Sequence, residues 1–483
     1  MSIQLFISHS TILIFSYLIF HRKYDKFGVF GIDVFRWIYY AIQLKSKKYN
    51  WPIRIKGYLD DKPLNYPPLY IYLLSFFPKT LILKKPHYLQ QALFLLEYLS
   101  IFLFINLKFE INLLQNLILG IAFTSFSYKK YNYISSRPLG YLLTGLYIIS
   151  LNFITSYNSY LTIPSSTIIY IIILFSHRFS IQFILVTQII LSLITNNSSL
   201  NYATITIIIS HFFVILISKV YRKILLNHYS ILTYYFEGIN IKIDWEIKTP
   251  KLNLKSTFNT ILYSLPFIMH FAYLIYSDIP LTINSYIIVI GFGYAIIMNI
   301  STFRFWGEPN RILDYLLFPL IIDMMRGTME YIYTLSALLI IQFVASKIFK
   351  RKDNLYFQLN TAINDRLSEK LLKIFKNRPF NFMSYPAIFD DYVKLNHQNS
   401  KVFFHDNGLA LKYNPIKYIP EFVDLDIPTS YLTQIHDNLN VNCFLIHKNH
   451  EYLTSELFKN YPNKFFVEST VDTELKDYIL IYE

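Results

Sequence analysis

The chain has 483 residues, 53% hydrophobic and 18% aromatic, with only 16% charged, where an ordinary soluble domain has about a quarter. That balance excludes a purely water-soluble globule, and a lone cysteine, Cys443, excludes an intrachain disulfide and any Cys-x-x-Cys metal set. The formal charge of +14 is unevenly placed, and its placement says more than its sum.

In chain order, "MSIQLFISHSTILIFSYLIFHRK" lacks a basic leader and a small-residue cleavage site, so residues 3–21 read as a retained first span. Apolar runs predict further spans at 67–83, 88–107, 112–127, 138–156, 163–178, 180–195, 202–219, 257–277, 283–302, 310–326 and 329–348. A bilayer core of about 30 Å takes roughly 20 apolar residues per helix, and it leaves no backbone polar group unpaired. Several of these runs are shorter, so the expectation is an all-α polytopic membrane bundle of ten to twelve transmembrane helices over residues 1–348. Beyond "KIFKRKDN" the texture changes, and residues 349–483 carry 16 Lys+Arg against 17 Asp+Glu. There "KVFFHD", "NCFLIHK", "KFFVEST" and "DYILIYE" read as strands and "HEYLTSELFKNY" as a helix, which predicts a small soluble α/β domain.

Counting all twelve spans, the loops after even-numbered ones hold Lys84 and Lys85, then Lys129, Lys130 and Arg137, then Arg178, then a cluster from Arg222 to Lys255, then Arg304 and Arg311. Loops after spans five, seven and nine hold no Lys or Arg. The positive-inside rule then places the even loops, both termini and the tail in the cytoplasm of a multi-pass cell-membrane protein. The first loop, residues 22–66, breaks the pattern: it carries ten Lys+Arg and four Asp, yet parity puts it outside. Either one span is miscounted, or the loop binds something anionic. Its "GIDVFRWIYYAIQL" has the helical spacing of a segment lying in the membrane interface.

That loop holds the candidate chemistry. Asp25, Asp33, Asp60 and Asp61 stand near Arg36, Arg54 and Lys56. Glycosyl transfer from a phospholipid carrier needs a carboxylate to take the acceptor's proton and cations to hold the leaving phosphate. Asp60 and Asp61 suit acceptor binding, a divalent cation through hard oxygen ligands, or a cap on the next helix, and the residues alone do not choose. Pro67 and Pro68 suit a helix's first turn, where the missing N–H costs nothing, and Tyr66 and Tyr70 suit an interfacial aromatic belt.

"FGVFGIDVFRW" in the first loop and "NYPPLYIYLLS" opening the next run resemble the GT-C class of integral-membrane glycosyltransferases, as do "ISSRPLGYLLTGLYII" and "GEPNRILDYLLFPL" further on. The resemblance covers residues 1–348 as architecture. It implies a polyprenyl-phosphate sugar donor, an extracytoplasmic or outer-leaflet acceptor and Asp33 in the position of the catalytic acid. The resemblance assigns no position to Asp60 or Asp61; from their place in the same loop, Arg36, Arg54, Lys56, Asp60, Asp61 and Tyr66 are the expected substrate-binding residues. Metal dependence stays open, because members of the class differ on it. Membrane lipid is the expected surrounding partner, and nucleic acid is not expected.

Span parity sets Arg137 and the segment containing Glu308, Arg311 and Asp314 across the bilayer from Asp33, so Glu308, Arg311 and Asp314 read as a structural ion cluster at helical spacing. Ionisable residues in or near spans, His211, His270, Glu97 and Asp323, share no motif and read as bundle-interior hydrogen-bonders. The "GFG" at 291–293 suggests close helix packing. The tail has no nucleotide or hydrolase motif; "FFHDNGLAL" offers His405, Asp406 and Asn407, with Asn-Gly first a turn signal, and the tail reads as an accessory module. The alternatives are a transporter or flippase of lipid-linked saccharides, which would favour an internal repeat that is not seen here, and a polysaccharide polymerase.

Overall fold

A computed structural model describes residues 9–14, 34–51, 66–85, 87–127, 135–157, 162–226, 228–229, 254–300, 309–348, 361–376, 378–385, 389, 393–394, 397, 400–402, 429–469 and 478–483. Asp33, Arg54, Lys56, Asp60, Asp61, Glu308 and the His405–Asn407 stretch lie outside these residues. The chain is mostly helical and ends in a small sheet.

The helices are α1 (Val34–Ser46), α2 (Leu69–Phe76), α3 (Lys79–Lys84), α4 (His87–Lys108), α5 (Leu113–Ser127), α6 (Arg137–Tyr157), α7 (Thr162–Leu174), α8 (Arg178–Ile194), α9 (Ser198–Ile217), α10 (Leu254–Tyr276), α11 (Ile283–Ile297), α12 (Pro309–Tyr315), α13 (Leu317–Met324), α14 (Met329–Ile348) and, in the tail, α15 (Thr361–Phe375), α16 (Tyr431–Leu439) and α17 (Ser455–Asn460). Among the described residues three helices, His87–Lys108, Arg137–Thr155 and Ser198–Ile217, are long and apolar enough to cross a membrane, and six more are apolar but shorter.

The run at 67–83, expected as a span, is instead two short helices. Pro78 has no N–H to continue the ladder, Phe77 turns extended, and α3 starts afresh at Lys79. At eight and six residues neither helix approaches bilayer thickness. Both pack against α1, and Lys45 Nζ donates to the Phe77 carbonyl at 2.9 Å, so the chain returns towards the side it came from.

Every later crossing therefore swaps ends relative to the parity count. Tyr66 lies beside Ser136 and Arg178, and the start of α4 meets the start of α6 through Gln90 Nε2 and the Ser135 carbonyl, 3.3 Å apart. One end of the bundle gathers Tyr66, Gln90, Ser135–Arg137, His177–Arg178 and Arg311–Tyr315. The other gathers Lys108, Asn152 with Asn284, Thr282, Asp323 and Arg326. The described part of the first loop, 34–51 and 66, thus shares an end with Arg137, Arg178 and Arg311, which the charge count had set opposite it by taking 67–83 as a crossing.

Two close approaches define the packing. A β-carbon on Gly140 would sit 2.5 Å from Ser180 Oγ and 2.8 Å from the His177 ring, and one on Gly145 would enter the Phe318 ring, so α6 is drawn against α8 and α13 only because both positions are glycine. Of the "GFG" pair, Gly291 faces Leu316 in the same manner, while Gly293 faces open space.

The tail is a five-stranded mixed sheet in the order β2-β1-β3-β5-β4, formed by β1 (Asn381–Tyr385), β2 (Lys401–Val402), β3 (Cys443–His447), β4 (Phe466–Ser469) and β5 (Tyr478–Tyr482). β1 runs parallel to β2 and β3, and β5 is antiparallel to β3 and β4. Strand alternation splits the core in two. Met383, Phe444, Ile446, Ile479 and Ile481 join α16 and α17 on one face. Phe382, Cys443, Leu445 and Leu480 join α15, Phe389 and Val393 on the other, and this second cluster is continuous with the core of the helical bundle.

Lys394, buried in the tail, donates from Nζ to the Ser400 carbonyl at 2.7 Å and lies 6.0 Å from the centre of the Tyr39 ring on α1. The tail therefore packs at the same end of the bundle as α1. The two expectations of an outside first loop and a cytoplasmic tail exclude one another.

Two buried tail histidines carry a pH dependence. Burial holds His397 and His450 below the ordinary imidazole value of about 6.5, and His447 adds like-charge repulsion at His450. Because the unfolded chain takes up these protons first, stability is present above pH 6.5 and falls as pH drops towards the depressed folded values. Calorimetric melts should show the tail unfolding at lower temperature at pH 5 than at pH 7; equal melting temperatures would assign both rings no part in its stability.

Candidate active site at the basic end of the bundle

The site is assembled from helix starts. Pro68 precedes α2, and the Leu69 N–H, which the first turn cannot satisfy internally, donates to the Phe175 carbonyl at 2.9 Å, fastening α2 to the turn after α7. Tyr66 is thereby held at the mouth of α6. Its hydroxyl shares a 3.2 Å hydrogen bond with Ser136 Oγ, the Trp37 ring meets it edge-on at 5.1 Å, and the Arg178 guanidinium lies 4.8 Å from its centre. Below it Gln90 Nε2 donates to the Tyr70 hydroxyl at 2.7 Å. The belt expected of Tyr66 and Tyr70 is in fact a wall, with Tyr70 fully buried.

Behind this wall lies a second ring of polar groups. His177 precedes α8 in extended backbone, and its Nδ1 is 3.1 Å from the Tyr315 hydroxyl and 3.2 Å from Ser180 Oγ, which are themselves 3.0 Å apart. The Tyr315 ring stacks on Phe183 at 4.9 Å. Next to it in sequence, Asp314 accepts from the Tyr141 hydroxyl at 3.0 Å and the Tyr263 hydroxyl at 2.9 Å, so a single carboxylate joins α6, α10 and α12. Arg311, one turn before Asp314, lies 4.8 Å over the Phe179 ring. Arg137, Arg178 and Arg311 all lie within electrostatic reach of the His177 ring, and Arg137, Arg311 and Asp314 of the Tyr141 hydroxyl.

Among the described residues, Arg137, Arg178 and Arg311 gather about His177, and Asp314 joins Arg137 and Arg311 about Tyr141. Planar, permanently charged guanidinium forks suit phosphate better than any other side chain. Of the residues expected to bind substrate, Tyr66 is within this arrangement and Arg36 stands on α1, one residue before Trp37. Arg137 and the Arg311–Asp314 segment, expected across the bilayer from Asp33, are here at the same end of the bundle as Tyr66. His177, Arg178 and Ser180 carried no motif, and Tyr315, within "GEPNRILDYLLFPL", carried no signal of its own. Only the charge of "SHR" at 176–178, read with one crossing fewer, would have pointed to them.

A second cluster sits at the opposite end. Asp323, 1% exposed, receives Thr282 Oγ1 at 2.8 Å, Ser285 Oγ at 2.5 Å, Arg326 Nη1 at 3.3 Å and His270 Nε2 at 3.0 Å. His270 bonds onward to the Tyr331 hydroxyl. Thr282 and Ser285 also form the capping box that starts α11, so Asp323 ties α10, α11, α13 and α14 together at a helix N-terminus, where negative charge is favoured. With both carboxylate oxygens occupied by protein donors, this cluster is a clamp. Among the described residues no group of three or more His, Cys, Asp or Glu is placed to hold a metal ion. The chain matches no family model and no curated protein.

Proposed function

We propose that the chain is a multi-pass membrane glycosyltransferase that moves a sugar from a polyprenyl-phosphate donor to an extracytoplasmic or outer-leaflet acceptor, with its chemistry at the basic end of a bundle of ten or eleven spans. The observation that carries this is the meeting of "NYPP", "SSRP" and "NRILDY", three segments that resemble one enzyme class and stand far apart in sequence, around three arginines and a carboxylate. In this reading Asp33 is the base that takes the acceptor's proton, and Arg137, Arg178 and Arg311 join Arg36, Arg54 and Lys56 in holding the phosphate. Asp60, Asp61 and Tyr66 line the acceptor side, and a divalent cation is left to experiment. The tail, sharing this end, is extracytoplasmic as well.

Donor turnover in membranes carrying Asp33→Asn should fall to background while the protein level is unchanged. Activity near that of the parent would remove Asp33 from the role.

One observation favours a second reading. The positive-inside rule puts an end this basic in the cytoplasm, where the same arginines would suit a flippase or transporter of lipid-linked saccharides. Glu451, exposed in the tail, separates the orientations: a Glu451→Cys chain in intact cells is labelled by an impermeant maleimide if this end faces out and protected if it faces in. Protection together with absent turnover would sink the enzyme reading.

A further inference from the structure

Helices α1, α2 and α3 pack as a unit in which α1 is buried in the core and the outer edge of α2 and α3 is exposed. The inner side of α2 is sealed, with Tyr70, Ile71 and Leu74 all within 1% of full burial. The outer side ends in an apolar ridge: Phe76 is 66% exposed, Leu83 38%, and the Tyr49 ring stacks on Phe76 at 5.6 Å. Lys48 and Tyr49 adopt positive φ, which ends α1 in a tight turn, and the Tyr72 hydroxyl binds the Tyr49 carbonyl at 2.9 Å, so the turn is fixed against α2.

Among the described residues of this unit the charge has one sign. Residues 34–51 and 66–85 contain Arg36, Lys45, Lys47, Lys48, Lys79, Lys84 and Lys85 and no Asp or Glu. Lys48 and Lys79 are exposed beside Tyr49 and Pro78. Lys45 is committed to the Phe77 carbonyl and keeps the fold of the unit, leaving the outer lysines to face what lies beyond.

We propose that this unit is an interfacial anchor: the Phe76–Leu83 ridge enters the headgroup layer of the leaflet at this end, and Lys47, Lys48 and Lys79 hold the phosphates of acidic phospholipids. The charge complementarity selects that occupant. A run of basic side chains with no acid, fringing apolar side chains on helices too short to span, matches an anionic lipid surface, and Lys and Arg near such a surface are individually attractive within a Debye length. A second copy of this chain docked through the same unit would set Lys47, Lys48 and Lys79 against like charge. The proposal does not depend on the enzyme reading, since a transporter needs the same seating.

The test uses the full-length protein in vesicles, with bimane on Phe76→Cys; Cys443 is buried and is not labelled. In phosphatidylcholine vesicles with roughly one phosphatidylglycerol in four, bimane emission should be blue-shifted and quenched by headgroup-depth spin-labelled lipid, more than in phosphatidylcholine alone. The Lys47→Gln/Lys48→Gln/Lys79→Gln variant should lose that difference, and the matching Lys→Arg variant should keep it. Three results overturn the proposal: equal emission in both vesicle types, quenching mainly by acyl-chain-depth labels, which would make the segment a span, or shielding that appears only when copies cross-link through Lys79→Cys.

Discussion

Replacing Asp323 by alanine should destabilise the protein by about 3–5 kcal/mol, the range seen when one partner of a buried charge cluster is removed and the others are left without compensation. Asp323 is 1% exposed and accepts from four side chains, on α10, at the start of α11 and in the turn after α13, so the truncation orphans the Thr282 and Ser285 hydroxyls, His270 and the Arg326 fork at once. Asp323→Asn keeps the shape and one acceptor and should cost less. The order alanine, then asparagine, then parent should appear in detergent-solubilised thermal melts. A double-mutant cycle with His270→Leu should show a coupling of about 0.5–3 kcal/mol, as for residues in one network. An alanine variant melting with the parent would mean that the clamp is not closed in the folded protein.

The second large effect concerns Arg178. Its guanidinium lies against Tyr66 and near His177, at the point where the first loop meets the α7–α8 turn. If it holds the donor phosphate, Arg178→Gln removes a charge-assisted pair of about 1.5–3 kcal/mol, roughly a 10- to 150-fold loss in kcat/KM. Arg178→Lys should recover little of it, because an ammonium neither stacks on the ring nor offers a planar fork. Unchanged kcat/KM in both variants would place phosphate recognition elsewhere, whatever Asp33 does.

The two ends of the chain were legible in sequence to different degrees. Apolar runs found the bundle helices, and "CFLIH" and "YILIY" found β3 and β5, because buried strands of branched and aromatic residues leave a plain mark. The neighbouring strand β1, "NFMSY", left none. Its Asn381 and Ser384 interrupt the apolar run, yet both are used locally: Asn381 N–H donates to Asn442 Oδ1 at 2.8 Å, and Ser384 Oγ accepts the Phe389 N–H at 3.1 Å. The expected helix "HEYLTSELFKNY" is a 3-10 turn over Lys448–Thr454 followed by α17, with the break at His450.

The largest error had one cause. Hydropathy cannot tell a span from a pair of interfacial helices when eleven apolar residues between 67 and 83 flank Pro78. That one crossing moved Arg137, Arg178 and Asp314 to the wrong face on paper. The pairing of His270 with Asp323 was beyond reach for a different reason: 53 residues separate them, and only the fold brings the ring to the carboxylate.

Cys443, the only cysteine, lies fully buried in β3 between β1 and β5. Its position makes it a timer. A thiol reagent can reach this sulfur only when the middle of the sheet comes apart, so the alkylation rate of the unaltered protein measures how often the tail opens, separately from anything the bundle does. Because the same core runs on through α15 towards α1, a donor analogue bound at the far side of that helix should slow the timer, and the slowing would measure, without any added label, how firmly an occupied site holds the tail.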